Sequence, residues 1–164
     1  MGDFVTPIGS YWLQTRGDRI TALLAHPPAE AADSGLCQRV GAWLNEYFAG
    51  RFPALDSLPL SPEGTDFQRR VWEALRFIAP GRVETYGSLA KRLNSAPRAV
   101  GGALAANPIP ILLPCHRVVA ANGALRGYSA EGGLNSKRLL LALEGIPMIE
   151  KKTGIWEILP SGIH

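Results

Sequence analysis

Cysteine and histidine are scarce in this chain of 164 residues, which contains two cysteines and three histidines. Two cysteines are too few for a disulfide framework, and the histidines lack the paired spacing of zinc ligands. We therefore expect Cys37 and Cys115 to be reduced thiols. We also expect the protein to hold no metal and no other cofactor.

Long apolar runs are missing as well. The longest, 109–113 and 139–143, are far shorter than the roughly 18 residues needed to cross a bilayer, and no basic segment leads into an apolar one at the N-terminus. With 46% hydrophobic and 19% charged residues, the composition is that of a globular protein with a buried core. These features predict a soluble, cytoplasmic protein without a membrane partner, and we expect it to be a monomer.

Charge is distributed unevenly along the chain. Residues 1–62 carry four basic and six acidic side chains, a net charge of −2, whereas residues 63–164 carry thirteen and eight, a net charge of +5. A basic second half fits a surface that faces a polyanion, with nucleic acid as the first candidate. The proline-rich stretch 51–64 predicts a linker, so we expect an N-terminal domain with linker over 1–62 and a C-terminal domain over 63–164.

The N-terminal half shows the patterns of a small α/β domain. The runs 11–15 and 20–25 are strand-like and flank the turn 16–19, which predicts a β-hairpin. Apolar residues at helical spacing predict a helix over 34–49, and Gly50 is placed to end it.

The C-terminal half is predicted to be mostly helical. Thr65 opens a capping box and a helix that ends before Pro80. Two short helices follow, one over 86–93 capped by Thr85 and one over 97–106, at the spacing of a helix-turn-helix. The remaining predicted elements are a strand end, a turn, a loop and a last helix, at 118–119, 121–123, 127–133 and 134–143.

The stretch with the strongest signs of a reaction centre is 114–118, Pro-Cys-His-Arg-Val, which follows the apolar run 107–113. A thiol titrates near pH ~8.5, and cationic neighbours can lower its pKa enough to leave a thiolate nucleophile at neutral pH. Asn107 can tie together backbone groups of the turn that leads to this cysteine. A half-buried cysteine in a structural turn is the alternative interpretation of Cys115, and this stretch alone leaves both open.

The second helix of the predicted helix-turn-helix begins with Arg98 and then contains almost only glycine and small apolar residues. It offers no side chains that could read base edges, and Gly101 and Gly102 each cost about 1 kcal/mol relative to alanine. A smooth face that lets the backbone approach phosphates and the minor groove explains this composition, and tight helix packing explains it equally well. Arg98 can either fill the gap left by a flipped nucleotide or contact a phosphate.

Residues 98–119, RAVGGALAANPIPILLPCHRVV, are similar without gaps to the signature of O6-alkylguanine-DNA alkyltransferases, which move an alkyl group from guanine O6 to their own cysteine. The similarity extends through 86–90, 128–129 and 132–144, whereas the N-terminal half matches only in size and coarse pattern. The resemblance implies an α/β (α+β) fold with an N-terminal antiparallel-sheet, RNase H-like domain. The second domain would be mostly helical, with a winged-helix or helix-turn-helix DNA-binding motif.

The resemblance also implies roles for individual residues. Cys115 would be the alkyl acceptor, and His116 and Glu144 would form with it, through a water, the relay that yields thiolate. Tyr86 would donate a proton to the departing guanine, and Arg98 would replace the flipped base. The implied DNA-binding residues are Tyr86, Arg98, Ala99, Gly101, Gly102 and Ala105. The implied substrate-pocket residues are Asn107, which would brace the turn, Val118 through its carbonyl, Tyr128 and Ser129.

The implied function is direct repair, in which the alkyl group of O6-alkylguanine in duplex DNA moves irreversibly to Cys115, with O4-alkylthymine as a second candidate substrate. A cysteine hydrolase and a DNA-binding module without chemistry are the alternatives. The adjacency of Cys115 and His116 is unusual for a hydrolase, and the presence of the cysteine argues against the module. Two departures stand out: loop 129–133 is longer than is usual in the family, which leaves the pocket width open, and the tail 150–164 lies outside the match.

Overall fold

A computed structural model describes residues 3–126, 128 and 132–159 of the chain. These residues form five α-helices, a three-stranded sheet and two two-stranded sheets. The architecture is mixed α/β, which confirms the predicted fold class.

Three antiparallel strands form the first sheet, in the order β1 (Asp3–Thr6), β2 (Gly9–Arg16) and β3 (Arg19–Leu24). Strands β2 and β3 confirm the predicted hairpin, and Gly17 adopts a left-handed φ of 60° in the turn between them. Strand β1 was not predicted. Its sequence, Asp-Phe-Val-Thr, has two adjacent apolar residues and lacks the apolar alternation that indicates a strand, and Val5 is 82% exposed.

Helix α1 (Ser34–Phe48) follows and confirms the predicted helix to within one residue. The Asp33 side chain caps it by accepting a hydrogen bond from the Leu36 amide at 2.8 Å. One face of α1 joins the buried side of the sheet in the main hydrophobic cluster, and it consists of Leu36, Val40, Trp43, Leu44 and Tyr47.

Helix α2 (Asp66–Leu75) begins with the predicted capping box, in which the side chains of Thr65 and Gln68 bond each other's backbone amides at 3.1 and 2.9 Å. The helix ends earlier than predicted. Beyond Leu75 the backbone continues in i to i−3 hydrogen bonds, so that Ile78 remains buried although it lies outside the α-helix.

Helices α3 (Tyr86–Arg92) and α4 (Pro97–Ala105) form the predicted helix-turn-helix. The Thr85 side chain caps α3, and Pro97 occupies the first turn of α4. The indole nitrogen of Trp72 in α2 donates to the carbonyl of Ala103 at 2.8 Å and ties α2 to α4.

Cys115 begins a single 3-10 turn, Cys115–Arg117, which we call the cysteine turn. Strand β5 (Val118–Val119) follows it directly and pairs in parallel with β4 (Glu84–Thr85), the two residues that precede α3. This pairing brings the cysteine turn next to the start of the helix-turn-helix.

Helix α5 (Gly133–Leu143) confirms the predicted last helix, and a hairpin of β6 (Met148–Lys152) and β7 (Ile155–Ile158) follows it. This hairpin was not predicted. It pairs with a distant backbone segment, because the Leu125 amide donates to Trp156 at 3.1 Å and the Ile158 amide donates to Gly123 at 2.8 Å. Ile158 is buried in a second cluster beside α5.

Buried residues from both sides of position 62 pack into one main cluster, for example Tyr47 and Leu113. The division into domains over 1–62 and 63–164 stays a prediction. None of the helices in the described part of the chain combines the length and apolar character that crossing a membrane requires.

Candidate active site

Cys115 is 6% exposed and lines a cavity of about 590 Å³. Both cysteines of the chain are free thiols. Burial raises the pKa of the Cys115 thiol, and this effect outweighs the hydrogen bond from Asn107 and the positive charge of Lys137. The resting group is therefore a thiol that must lose its proton before it can act as a nucleophile.

The cavity brings six of the predicted site residues together and has the size of a small-molecule site. Its mouth lies at α4, where Arg98 and Ala105 are exposed. A group that reaches the Cys115 thiol through this cavity therefore passes residues of α4. The lining residues are Tyr86, Pro97, Arg98, Gly101, Leu104, Ala105, Cys115, Arg126 and Tyr128.

His116 lies fully buried beside the nucleophile, and its Nε2 is 2.7 Å from Oε2 of Glu144. A carboxylate on Nε2 selects the tautomer that carries its proton there, which leaves Nδ1 as an acceptor. That Nδ1 is buried and has no hydrogen-bond partner among the described residues. Burial lowers the pKa of His116, so the imidazole is neutral at neutral pH and able to take up a proton.

Glu144 caps the end of α5 and is held by donors from three parts of the chain. Arg117 donates through Nε to Oε1 at 2.8 Å and through Nη2 to Oε2 at 3.1 Å. Tyr47 donates to Oε2 at 2.5 Å, and the Gly81 amide donates to Oε1 at 3.3 Å. Burial acts to raise the pKa of Glu144, but His116 and Arg117 lower it to about 2, so the group is a carboxylate.

Asn107 bridges the two ends of the segment that leads to the cysteine turn. Its Nδ2 donates to the carbonyl of Leu113 at 2.9 Å, and its Oδ1 accepts from the Ile109 amide at 3.0 Å. Because Leu113 in turn accepts from the Cys115 amide at 2.8 Å, two consecutive hydrogen bonds connect Asn107, just beyond the end of α4, to the nucleophile.

Tyr86 lines the cavity, and its hydroxyl donates to the carbonyl of Arg126 at 2.9 Å. Burial raises the pKa of Tyr86, so the phenol keeps its proton. The same Arg126 carbonyl accepts from Lys137 Nζ at 2.7 Å, and Lys137 also donates to the carbonyl of Val118 at 2.7 Å.

Some predicted residues lie away from the cavity. Val118 is fully buried and its carbonyl is bound by Lys137. Ala99 and Gly102 are exposed on α4 but do not line the cavity. Tyr128, by contrast, lines the cavity, and its buried hydroxyl has no partner among the described residues. Ser129 lies outside the described residues.

The two glycines of α4 face open space. A Cβ atom added to Gly101 or Gly102 would meet no heavy atom within 4 Å beyond the helix itself. Tight packing against a neighbouring helix therefore does not explain these glycines. The other interpretation, a smooth face that a ligand can approach closely, fits this geometry.

Within the described residues, no three or more His, Cys, Asp or Glu side chains are grouped so that they could hold a metal ion. The acidic and imidazole groups at the site are instead paired with each other and with Arg117.

Known proteins share this arrangement of elements. A family model described as the DNA-binding domain of 6-O-methylguanine DNA methyltransferase matches residues 66–146. A methylated-DNA–protein-cysteine methyltransferase of Haemophilus influenzae is 40% identical over 160 residues, which cover 92% of this chain and 88% of the relative. The chain belongs to the methylated-DNA–protein-cysteine methyltransferase family.

Solved structures agree with this family assignment. Mycobacterium tuberculosis OGT in complex with DNA matches with a TM-score of 0.77 and 40% identity, over 87% of this chain and 90% of that chain. An O6-methylguanine DNA methyltransferase from Methanococcus jannaschii matches with a TM-score of 0.68 and 29% identity, over 92% of this chain and 96% of that chain.

Three side chains that bond to groups of the site in this methyltransferase-family chain were not predicted as site residues. Arg117 was considered only as a cationic neighbour of the cysteine, whereas its guanidinium pairs with Glu144. Lys137 has helical neighbours on both sides and no local sign of burial. Tyr47 lies on the apolar face of α1. A buried tyrosine hydroxyl needs a hydrogen-bond partner, and this need is the one sequence signal of a role for Tyr47 beyond packing in the core.

Proposed function

We propose that this protein repairs duplex DNA directly, by transferring the alkyl group of O6-alkylguanine to Cys115. Its membership of the methyltransferase family supports the reaction, and the relative bound to DNA supports the partner. O4-alkylthymine is a second candidate substrate. We also propose that a single chain acts alone, because one copy supplies every group that the mechanism needs.

The observation that carries the proposal is the position of Cys115 in a cavity that opens at α4. A buried thiol at this depth cannot reach a base that remains stacked in a duplex. The damaged nucleotide must therefore rotate out of the helix and enter the cavity. Arg98, exposed at the mouth, is then suitably placed to occupy the gap in the base stack.

In the proposed reaction, the Cys115 thiol loses its proton to Nδ1 of His116, through a water as the resemblance implies. Glu144 stabilises the imidazolium that forms. The thiolate attacks the alkyl carbon, a carbon–sulfur bond forms, and the bond between that carbon and guanine O6 breaks. The electron pair of that bond stays with the guanine, which takes a proton from the Tyr86 hydroxyl. The proton of the His116 imidazolium then replaces the one that Tyr86 has lost.

Overall, a thiol and an O6-alkylguanine become a thioether and a guanine. Water does not readily hydrolyse a thioether, so the protein is consumed by one reaction. This outcome separates the proposal from a cysteine hydrolase, in which the acyl group leaves the sulfur again.

Intact mass spectrometry after incubation with a duplex that contains O6-methylguanine tests the proposal. We expect the mass of one methyl substituent per chain, on the peptide that contains Cys115. Cys37→Ala is the matched control and should still accept the methyl group, whereas Cys115→Ala should not. Several turnovers per chain would indicate a hydrolase, and DNA binding without any gain in mass would indicate a module without chemistry.

A further inference from the structure

The N-terminal half of the chain reaches the reaction centre through one side chain. Tyr47 of α1 is fully buried, and its hydroxyl is 2.5 Å from Oε2 of Glu144 and 3.5 Å from Nε2 of His116. Nothing in the reaction proposed above uses this hydroxyl. Its partners, however, are His116, which would receive the proton of the thiol, and Glu144, which would stabilise the imidazolium that forms.

The ring of Tyr47 is fixed in place by other aromatic rings. Trp43 stacks on it with a centroid distance of 5.3 Å and an interplanar angle of 9°. Phe48 and Phe52 pack against it in edge-to-face arrangements, with centroid distances of 5.1 and 5.4 Å. Such a cluster leaves the ring one orientation, so the hydroxyl is held against Glu144 by packing as well as by the hydrogen bond.

The direction of the hydrogen bond follows from the environment of Tyr47. Burial and the negative charge of Glu144 both raise the pKa of Tyr47, so the phenol keeps its proton. The hydroxyl therefore donates to Oε2, the same oxygen that accepts from Nε2 of His116. Two donors to one oxygen share its negative charge, so each of the two hydrogen bonds weakens the other.

We infer that Tyr47 is a positioning residue of the acceptor site, whose hydroxyl takes up part of the Glu144 charge and so limits the proton affinity of His116. The inference rests on the function proposed above. It gives the N-terminal half a part in the chemistry, because the proton affinity of His116 decides how readily the Cys115 thiol ionises.

The other charged groups around this centre stay in place when the hydroxyl is removed. Arg117 binds both oxygens of Glu144, and the Gly81 amide binds one of them. The positive charge of Lys137, on α5, acts on His116 and Cys115. Together with Nε2 of His116, these groups leave Glu144 four donors among the described residues. The carboxylate therefore keeps its position, and the main change is in the charge that it presents to His116.

The test is the pH dependence of Cys115 alkylation by iodoacetamide in the full-length protein, read on the Cys115 peptide by mass spectrometry. Tyr47→Phe keeps the ring and removes the donor. We expect the midpoint of Cys115 alkylation in this variant to lie about half a pH unit below that of the wild type. The variant then has about threefold more thiolate at a pH below both midpoints. A midpoint equal to or higher than that of the wild type would overturn the inference.

A second variant separates charge sharing from damage to the fold. 3-Fluorotyrosine introduced at position 47 alone has a more acidic phenol and donates more strongly, so its midpoint should move to higher pH. Displacement of both variants in the same direction would contradict the inference. Trp43→Phe disturbs the same aromatic cluster without removing a donor to Glu144, and its midpoint should remain that of the wild type.

The rate of methyl transfer from an alkylated duplex, measured over the same pH range, adds a second readout. The low-pH part of this rate profile, where the rate rises with pH, should shift together with the midpoint of Cys115 alkylation. If the wild-type protein transferred no methyl group, the proposed function would fail, while the iodoacetamide titration would still decide the role of Tyr47.

Discussion

Lys137 donates a 2.7 Å hydrogen bond from Nζ to the carbonyl oxygen of Val118, although the lysine is fully buried. A second bond of 2.7 Å joins Nζ to the carbonyl of Arg126, which also accepts from Tyr86. The ammonium group therefore links β5, which follows the nucleophile, to the wall of the cavity. Among the residues that the structure describes, Lys137 has no carboxylate partner, and the two carbonyls compensate the cost of burying its charge only in part.

Lys137→Met removes the buried charge and keeps an unbranched side chain. Burial lowers the pKa of Lys137 from 10.5 to about 8. Below about pH 8 the buried charge therefore lowers the free energy of unfolding, and this destabilisation disappears as the pH rises from about 8 towards 10.5. Over that range we expect the wild type to gain roughly 3 kcal/mol in free energy of unfolding relative to Lys137→Met. Urea unfolding at a series of pH values measures this difference.

The control for this prediction is Lys91→Met, which removes an exposed lysine from α3. Its pH dependence of stability should remain that of the wild type. The same pH dependence in the wild type and in Lys137→Met would contradict a charged lysine in the core.

The open face of α4 leads to a prediction about stability and a second about binding. Because an added Cβ meets nothing at Gly101 or Gly102, alanine at either position should raise the free energy of unfolding by about 0.5–1 kcal/mol.

Gly102→Leu adds bulk to the same exposed face and should weaken duplex binding on the order of tenfold, because the helix backbone can no longer approach the phosphates closely. Fluorescence anisotropy with a labelled duplex measures the affinity.

Ala142→Leu adds a similar volume to an exposed position on α5 and is the matched control. It should leave the affinity for DNA unchanged. Loss of stability in Gly101→Ala would contradict the open geometry, and full affinity in Gly102→Leu would contradict contact between α4 and DNA.

The elements that were predictable from the sequence are those with signals in adjacent residues. Thr65 and Gln68 form a capping box within four residues, and Pro97 marks the start of α4. The hairpin of β6 and β7 depends instead on Gly123 and Leu125, whose backbone groups lie more than thirty residues away. Periodicity within a short segment cannot reveal such a partner, and in β1 the adjacent apolar residues Phe4 and Val5 interrupt the apolar alternation that indicates a strand.

The same distinction applies to the site. Cys115 and His116 are neighbours in the chain, and the motif around them was recognisable without a structure. Glu144, 28 residues beyond His116, entered only through resemblance to a family. Tyr47 lies 97 residues from Glu144 and resembles any other aromatic residue of a helix core until the packing of the two halves brings its hydroxyl to the carboxylate.

Arg98 provides the test of nucleotide flipping. It is exposed at the mouth of the cavity and carries both a positive charge and a planar guanidinium group. Arg98→Ala should slow methyl transfer from a duplex at least about tenfold, since nothing then fills the gap in the base stack. Transfer from a single-stranded oligonucleotide should be spared, because no paired base has to be replaced there.

Arg98→Lys distinguishes stacking from a phosphate contact, because lysine keeps the charge and lacks the plane. If Arg98 replaces the flipped base, Arg98→Lys should bind duplex DNA with the salt dependence of the wild type and transfer methyl groups as slowly as Arg98→Ala. If it contacts a phosphate, lysine should restore the rate, and alanine should reduce the slope of log affinity against log salt by about 0.9. Equal rates on single-stranded and duplex substrates in every variant would exclude a flipping role for Arg98.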